Sequence, residues 1–201
     1  SHVQQREAQV RTVAVIGDST FVHSGIAPLI DAVYNRAAAT VVILDNNTTA
    51  MTGLQDHPGT GRTLQGEPTR EVLIEDVAKA LGVEHVYTVD AYDIKGVEKA
   101  LKDALASEEA AVVVARRECA LLPEVRKKYA PLKVDLERCN GCGLCFRLGC
   151  PAILRSDEVD PKTKRPKMEI DPLLCTGCEV CAQVCPRDAI LFRAQLGYEE
   201  L

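Results

Sequence analysis

The feature that most constrains this chain is a cysteine pattern written twice. CNGCGLCFRLGCP carries Cys139, Cys142, Cys145, Cys150 and Pro151, and CTGCEVCAQVCP carries Cys175, Cys178, Cys181, Cys185 and Pro186. Eight of the nine cysteines lie there, so the fold around them is dictated by what their thiols bind. Cys-x2-Cys-x2-Cys followed shortly by Cys-Pro is the spacing by which thiolates hold cubane iron–sulfur clusters. Three cysteines on one tight loop reach three corners of a cube, and the loop cannot bend far enough to offer the fourth. The fourth thiolate then comes from the other copy. The expected ligand sets are Cys139, Cys142, Cys145 and Cys185 for one 4Fe–4S cluster, and Cys175, Cys178, Cys181 and Cys150 for the other.

Phe146 to Gly149 put four residues between Cys145 and Cys150, where the second copy has three. Gly149 gives the longer turn its backbone latitude. The competing assignment is a pair of structural zinc sites, but zinc usually takes cysteines in Cys-x2-Cys pairs rather than in triplets followed by Cys-Pro. Disulfides suit such close triplets less, and no secretory signal is read at the start of the chain. The duplication extends beyond the cysteines. KVDLERC (133–139) repeats as EIDPLLC (169–175), thirty-six positions on, and each copy closes on Ala-Ile-Leu after its Cys-Pro. This predicts a small α+β two-cluster domain, with the charged insert 155–167 as a hairpin or surface loop.

The rest of the chain alternates strand and helix patterns. Thr12–Gly17 and Thr40–Leu44 are continuous apolar runs and read as buried strands. A helical pattern over 25–38 puts Ile26, Leu29, Ile30 and Val33 on one face. Residues 48–68 are rich in glycine, lack periodicity and read as a long functional loop. Pro68 and Thr69 are expected to open a helix to Leu81. A strand over 83–89, a helix over 93–106 and a strand over 110–115 follow. This order predicts an α/β domain, a parallel sheet with helices on both faces and its ligands at the carboxyl ends of the strands. Residues 116–131, basic and with Pro123 and Pro131, read as a connector, which divides the chain into domains 1–130 and 131–201. A hydrophobic fraction of 46% supports a core, and a net charge of −5 argues against nucleic acid. No apolar run approaches the ~20 residues of a membrane helix. Reduced thiolates suit the cytoplasm.

Gly17-Asp18-Ser19 and Asp45-Asn46-Asn47 stand at two strand ends, with 28 positions from Asp18 to Asn46. Neighbouring strand ends there offer a carboxylate, an amide oxygen and free carbonyls, a hard oxygen set for Mg²⁺. The helix start after Ser19 and Thr20 presents N–H groups to a diphosphate. An ordinary turn followed by Asx turns accounts for the same residues without a ligand. The spacing resembles the thiamine diphosphate signature, Gly-Asp-Gly followed by Asn-Asn, with Ser19 in place of the second glycine.

GDSTFVHSG, DNNTTAMTGLQDHPGTG and the cysteine repeat together resemble the indolepyruvate:ferredoxin oxidoreductases, α subunit, over essentially the whole chain. That resemblance implies a partial thiamine diphosphate-binding α/β domain followed by a ferredoxin-like domain. It implies oxidative decarboxylation of an aryl 2-oxoacid with coenzyme A to arylacetyl-CoA and CO2, electrons passing through both clusters to soluble ferredoxin. It further implies Mg²⁺ held by Asp18, Asn46 and the Thr48 carbonyl, with Asn47 as the ligand if the register slips. Gly17, Ser19 and Thr20 are to approach the diphosphate, and Gly53 and Gln55 to pack near the cofactor. His57 is to face the reacting carbon or to order the loop through Asp56 or a backbone carbonyl. His23 is to cap the following helix or lie near the diphosphate, and Cys119 to be a small buried residue. Arg116 and Arg117 are to be solvated or interdomain, or else to touch coenzyme A or a partner. The pyrimidine-binding domain and its activating glutamate are expected in a preceding segment or another chain, with a β subunit as partner. The rival readings are a pyruvate or general 2-oxoacid oxidoreductase subunit and a non-catalytic two-cluster electron-transfer protein.

Overall fold

The computed structural model describes residues 11–192, and the chain divides into two units, Ser1–Cys119 and Ala120–Leu201. In the first unit, strands β1 (Thr12–Gly17), β2 (Ala39–Asp45), β3 (His85–Asp90) and β4 (Ala111–Arg116) form a parallel sheet of order β1-β2-β4-β3. β4 is the central strand of hydrocarbon. Ala111, Val112, Val113 and Val114 are fully buried, which continuous β-branched residues achieve only when both faces are covered. On one face Val112, Val114 and Ile43 pack with Phe21, Leu29, Ile74 and Ala78. On the other, Val113 and Val42 pack with Ala100 and Ala104 of helix α4 (Ile94–Ala106). Helices therefore cover both faces at the centre of the sheet, as the alternation predicts. But β1, read as a buried strand, is exposed over residues 12–15, with Val13 47% and Val15 64% exposed, because it is an edge strand paired, among the described residues, only with β2.

Two local expectations change. No free turn separates β1 from its helix. The chain enters helix α1 (Asp18–Thr20) directly, passes through a π-helical turn (Phe21–Gly25) and continues as α2 (Ile26–Tyr34). Fully buried Phe21 explains the widening. A Cβ on Gly25 would stand 2.8 Å from the Phe21 ring, so that turn needs glycine and extra room. The helix expected from Pro68 starts only at Ile74, as α3 (Ile74–Ala80). Residues 68–72 are held extended instead: Thr69 N–H donates to Gly61 C=O and Val72 N–H to Pro58 C=O. Backbone bonds to the long loop override the local helix signals of Pro68 and Glu71.

The segment read as a connector is divided. Arg116 ends β4, and Pro123–Lys128 forms helix α5 in the second unit, with Val125 fully buried. In that unit β5 (Lys133–Val134) pairs with β8 (Ile190–Leu191), and β6 (Ile153–Val159) with β7 (Pro166–Ile170). β6 and β7 are the expected hairpin of the charged insert. The last helix among the described residues, α6 (Val180–Gln183), carries Cys181 of the second copy. The two copies interlock through their backbones. Asp135 N–H donates to Ala189 C=O, and its counterpart Asp171 N–H to Ala152 C=O, so each copy's lead-in is bonded to the other copy's exit. No helix among the described residues is long and apolar enough to cross a membrane.

Candidate functional site

The carboxyl ends of the strands carry charge in every case: Asp18 just after β1, Asp45 on β2, Arg116 on β4 and Asp90 on β3. Asp18 is almost fully buried. Its Oδ1 accepts the Ser19 N–H at 2.8 Å, and its Oδ2 accepts the Asn46 N–H at 3.2 Å, which ties the two strand ends together. Burial pushes the Asp18 carboxyl above its ordinary value. The Ser19 N–H and His57 oppose that rise, and the neighbouring Asp45 carboxylate adds to it. Negative charge is thus concentrated at this point, which a cation would relieve.

Around Asp18 the loop is stitched by short bonds. Asp45 Oδ1 accepts the Asn47 N–H, and Asn46 Oδ1 accepts the Thr48 N–H at 3.2 Å. Asn47 sits at φ 57°, a left-handed conformation that asparagine tolerates. Thr49 Oγ1 donates to Ser19 Oγ at 2.9 Å, and Thr48 is buried. His57 is buried too. Its Nδ1 accepts the Gly59 N–H, which fixes the tautomer with the proton on Nε2. That Nε2 lies 3.2 Å from Asp18 Oδ2, off the line of a hydrogen bond, and has no other partner. His57 is thus bonded within the loop at Gly59 and lies against Asp18, with no bond to Asp56 among the described residues.

The structure brings together Asp18, Ser19, Asn46, Thr48 and His57. Gly53 and Gln55 lie in the exposed outer turn, where the Gln55 side chain folds back onto Thr52. Gln55 reaches the site through its carbonyl, which accepts the Thr49 N–H. His23 is exposed in the π-turn, and no side-chain bond caps α2, so it is not a helix cap. Cys119 is half-buried rather than buried. Its N–H donates to the Asn46 C=O at 2.9 Å and so steadies the same loop.

Sequence reasoning missed the group that holds Asp45. Arg116 donates from Nε to Asp45 Oδ2 at 2.6 Å and grips both Glu75 oxygens with its Nη1 and Nη2. Hydrogen bonding to Arg116 holds the Glu75 carboxyl below its ordinary value. Arg117 pairs with Asp90. The available signal was positional: each charged residue closes an apolar strand run.

In the second unit one cavity is lined by Cys139, Cys142, Cys145 and Cys185, and another by Cys150, Cys175, Cys178 and Cys181. These are the interlocked quartets that the spacing predicts. Burial, then the charge of nearby Cys185, pushes the Cys145 thiol up to about 11. Burial and then Cys178 push Cys181 up to about 12. Thiols so placed ionise when a metal takes the proton's place.

Residues 3–115 match the thiamine pyrophosphate enzymes' C-terminal TPP binding domain. The chain belongs to that family. Residues 138–189 match the 4Fe-4S dicluster domain. The chain is 49% identical over 182 residues to the indolepyruvate oxidoreductase subunit IorA of Pyrococcus abyssi, covering 88% of this chain and 27% of that protein. It is 47% identical over 194 residues to the subunit of that name from Thermococcus kodakarensis, covering 94% and 29%. Ferredoxin-3 of a Nostoc species is 31% identical over 67 residues, covering 27% of this chain and 69% of that protein. The chain thus spans less than a third of the length of the first two relatives.

Thiamine diphosphate and two 4Fe–4S clusters are the cofactors of these two domains. The TPP-binding domain fits its cofactor chemically. Its strand ends gather hard oxygens and a carboxylate whose charged form burial disfavours, beside a buried His57 whose Nε2 makes no hydrogen bond. The dicluster domain fits its own through two separate cysteine-lined cavities.

Proposed function

We propose that this chain is the diphosphate- and cluster-binding part of a 2-oxoacid:ferredoxin oxidoreductase acting on aryl pyruvates, with indolepyruvate as the representative substrate. Arylpyruvate, coenzyme A and two oxidised ferredoxins would give arylacetyl-CoA, CO2, a proton and two reduced ferredoxins, each taking one electron. The observation that carries this reading is the bond from the Asn46 N–H to Asp18 Oδ2 across two strand ends, in a chain that also holds two cysteine quartets. When bound, thiamine diphosphate supplies the carbanion chemistry of decarboxylation and the clusters supply one-electron transfer.

The chain's own residues hold and orient. Asp18, the Asn46 side-chain oxygen and the Thr48 carbonyl are assigned to Mg²⁺, with Asn47 as the alternative to Asn46. A carboxylate accepts about four hydrogen bonds or ligands, so the N–H bonds from Ser19 and Asn46 leave Asp18 capacity for a metal. Gly17 is assigned to the diphosphate, since nothing stands within 4 Å of where its Cβ would be. Ser19 and Thr20 are assigned to it as part of the helix start at Asp18. Gly53 and Gln55 shape the outer loop. His57 keeps Asp18 in place rather than meeting the reacting carbon, given its distance of 3.2 Å from Asp18 Oδ2. The cysteine quartets ligate the clusters as read from the spacing. The aminopyrimidine half of the site and its activating glutamate are assigned to a preceding segment or to another chain, a β subunit is the expected partner, and a reducing cytoplasm suits the thiolates.

The test is anaerobic. The assembled protein is given thiamine diphosphate, Mg²⁺ and coenzyme A, and the broad iron–sulfur absorption is followed on adding indolepyruvate, then pyruvate. Bleaching with indolepyruvate alone supports the reading. Bleaching with pyruvate keeps the reaction and moves the substrate. Bleaching with dithionite but with neither oxoacid reduces the chain to an electron-transfer protein.

A further inference from the structure

The two cluster cavities differ in what lies outside them. The cavity of Cys150, Cys175, Cys178 and Cys181 is otherwise walled by apolar side chains such as Leu132, Leu148, Ile153 and Ile170, with no charged residue. The cavity of Cys139, Cys142, Cys145 and Cys185 shares Cys142, Gly143 and Met168 with a second, outer groove of about 410 Å³. That groove is edged by Arg147, Arg155 and Arg165, all exposed. A single loop turn, Cys142–Gly143, therefore separates cluster ligands from a cationic surface.

The arginines are not consumed by the fold. Among the described residues none of these three forms an ion pair, although other arginines in the chain do. Arg155 lies over the ring of half-exposed Phe146, 5.2 Å from its centroid, which steadies the guanidinium without neutralising it. The hairpin that carries Arg155 and Arg165 is fixed to the cysteine loop. Thr163 Oγ1 donates to Asn140 C=O at 2.8 Å, and a Cβ on Gly141 would stand 2.6 Å from Pro166 O. Two acids of the hairpin are engaged: Glu158 pairs with Lys167, and Asp160 accepts the Lys162 and Thr163 N–H groups of its own turn, while Asp157 and Glu169 are exposed and do not line the groove. On a chain of net charge −5, three unpaired arginines at one groove are a local reversal of sign.

We infer that this groove is the docking surface for an acidic one-electron carrier protein, and that electrons leave through the cluster of Cys139, Cys142, Cys145 and Cys185. Charge complementarity selects an acidic partner, and the exposed Phe146 in the groove gives it an apolar centre. At each encounter the reduced cluster gives up one electron and the carrier's oxidised iron–sulfur centre takes it, with no proton or bond change. The inference rests on the ferredoxin-reducing reading above, because it names the place where that reduction happens.

The experiment uses the complete enzyme with its clusters reduced by dithionite, so that it does not depend on any 2-oxoacid. Reoxidation by an acidic ferredoxin is followed by stopped flow against ionic strength, with methyl viologen as a small cationic acceptor for comparison. Arg147→Glu, Arg155→Glu and Arg165→Glu are each expected to slow ferredoxin reduction by about tenfold or more at low salt and to flatten its salt dependence. Viologen reduction is expected to stay within about twofold of wild type, and Arg155→Lys to restore most of the ferredoxin rate. Iron content and visible spectra show that each variant is loaded. Unchanged ferredoxin kinetics and salt dependence in loaded variants overturn the inference. A raised KM for coenzyme A, read with viologen as acceptor and with ferredoxin kinetics unchanged, also overturns it and gives the groove to a small polyanion. Failure of 2-oxoacids to bleach the clusters, by contrast, leaves this measurement intact and removes only the proposed reaction.

Discussion

The α/β unit closes its core with hydrocarbon, and the cluster unit closes its core with sulfur. Around β4 the buried residues are Val112, Val113, Val114 and Ile43, none of which needs a partner beyond its neighbours. In the second unit Cys139, Cys145 and Cys181 are core residues, and Cys150, Cys175 and Cys185 pack against them. Each buried thiol there is a polar, titratable group held in apolar surroundings. The first unit can therefore form its core from the chain alone, whereas the second draws part of its folding free energy from iron. The difference places the hydrocarbon scaffold under the Asp18 loop and the metal-dependent one around the cysteine quartets.

The largest test of that contrast is removal of iron. Anaerobic chelation is expected to abolish amide-exchange protection around Cys139 and Cys175 while Val112–Val114 keep theirs, read by hydrogen exchange and mass spectrometry. Persistent protection in the second unit would mean that its core does not depend on the clusters. Next, Asp18→Ala is expected to lower 2-oxoacid-driven cluster reduction by at least about 100-fold, with dithionite reduction unchanged. Unchanged oxoacid turnover in that variant would remove Asp18 from the site. Within the hydrocarbon core, Ile43→Ala should destabilise the first unit by about 3 kcal/mol in urea melts without altering the cluster spectrum.

A smaller effect separates two glycines of one cysteine loop. Gly141 and Gly143 have φ of 68° and 74°, yet only Gly141 is covered by the hairpin backbone. Gly143→Ala should lose about 1 kcal/mol to backbone strain alone, and Gly141→Ala more, with release of the hairpin detected as new protease cleavage near Thr163. Equal losses would show that the hairpin is not clamped. Last comes the Arg116 fork. Glu75 has a folded-state pKa below its ordinary 4.5, so its contribution is present above that value and is lost as pH falls through the lowered one. Because Arg116 is a third exposed, that contribution is about 1 kcal/mol after screening. Glu75→Gln should therefore narrow the stability difference between pH 6 and pH 3 in urea melts. An unchanged difference would show that the fork adds nothing.

Much of this protein was legible because its signals are local. The doubled cysteine spacing determined the interlocked quartets, since a short loop reaches three corners of a cube and no more. Repeated lead-ins determined that Asp135 and Asp171 occupy equivalent turns, and each indeed sets the N–H of the following cysteine. Alternating apolar runs determined a parallel sheet, and Val112–Val114 are buried at its centre as such a run predicts, but the equally apolar run of β1 is left exposed at the sheet edge, which the run itself does not encode. Asp18 and Asn46 stood out because each ends a strand.

What only the tertiary structure decided lies in contacts between distant segments. The helix signal at Pro68 lost to backbone bonds with Gly61 and Pro58, which no local propensity encodes. The start at Asp18 needed the bulk of Phe21 against Gly25 to show that helix follows strand without a turn. Arg116 read as a solvated cation until Asp45 and Glu75, 71 and 41 positions away, closed on it. The same holds for the two copies of Cys-x-Gly-Cys. Sequence makes them equivalent, but Gly141 is covered by the hairpin at Pro166 and Gly177 by the backbone at Ala130. The repeat fixed where sulfur would gather, and packing decided which copy would face three unpaired arginines, because a side chain's neighbours across the fold are set by the whole chain's path and not by its own stretch.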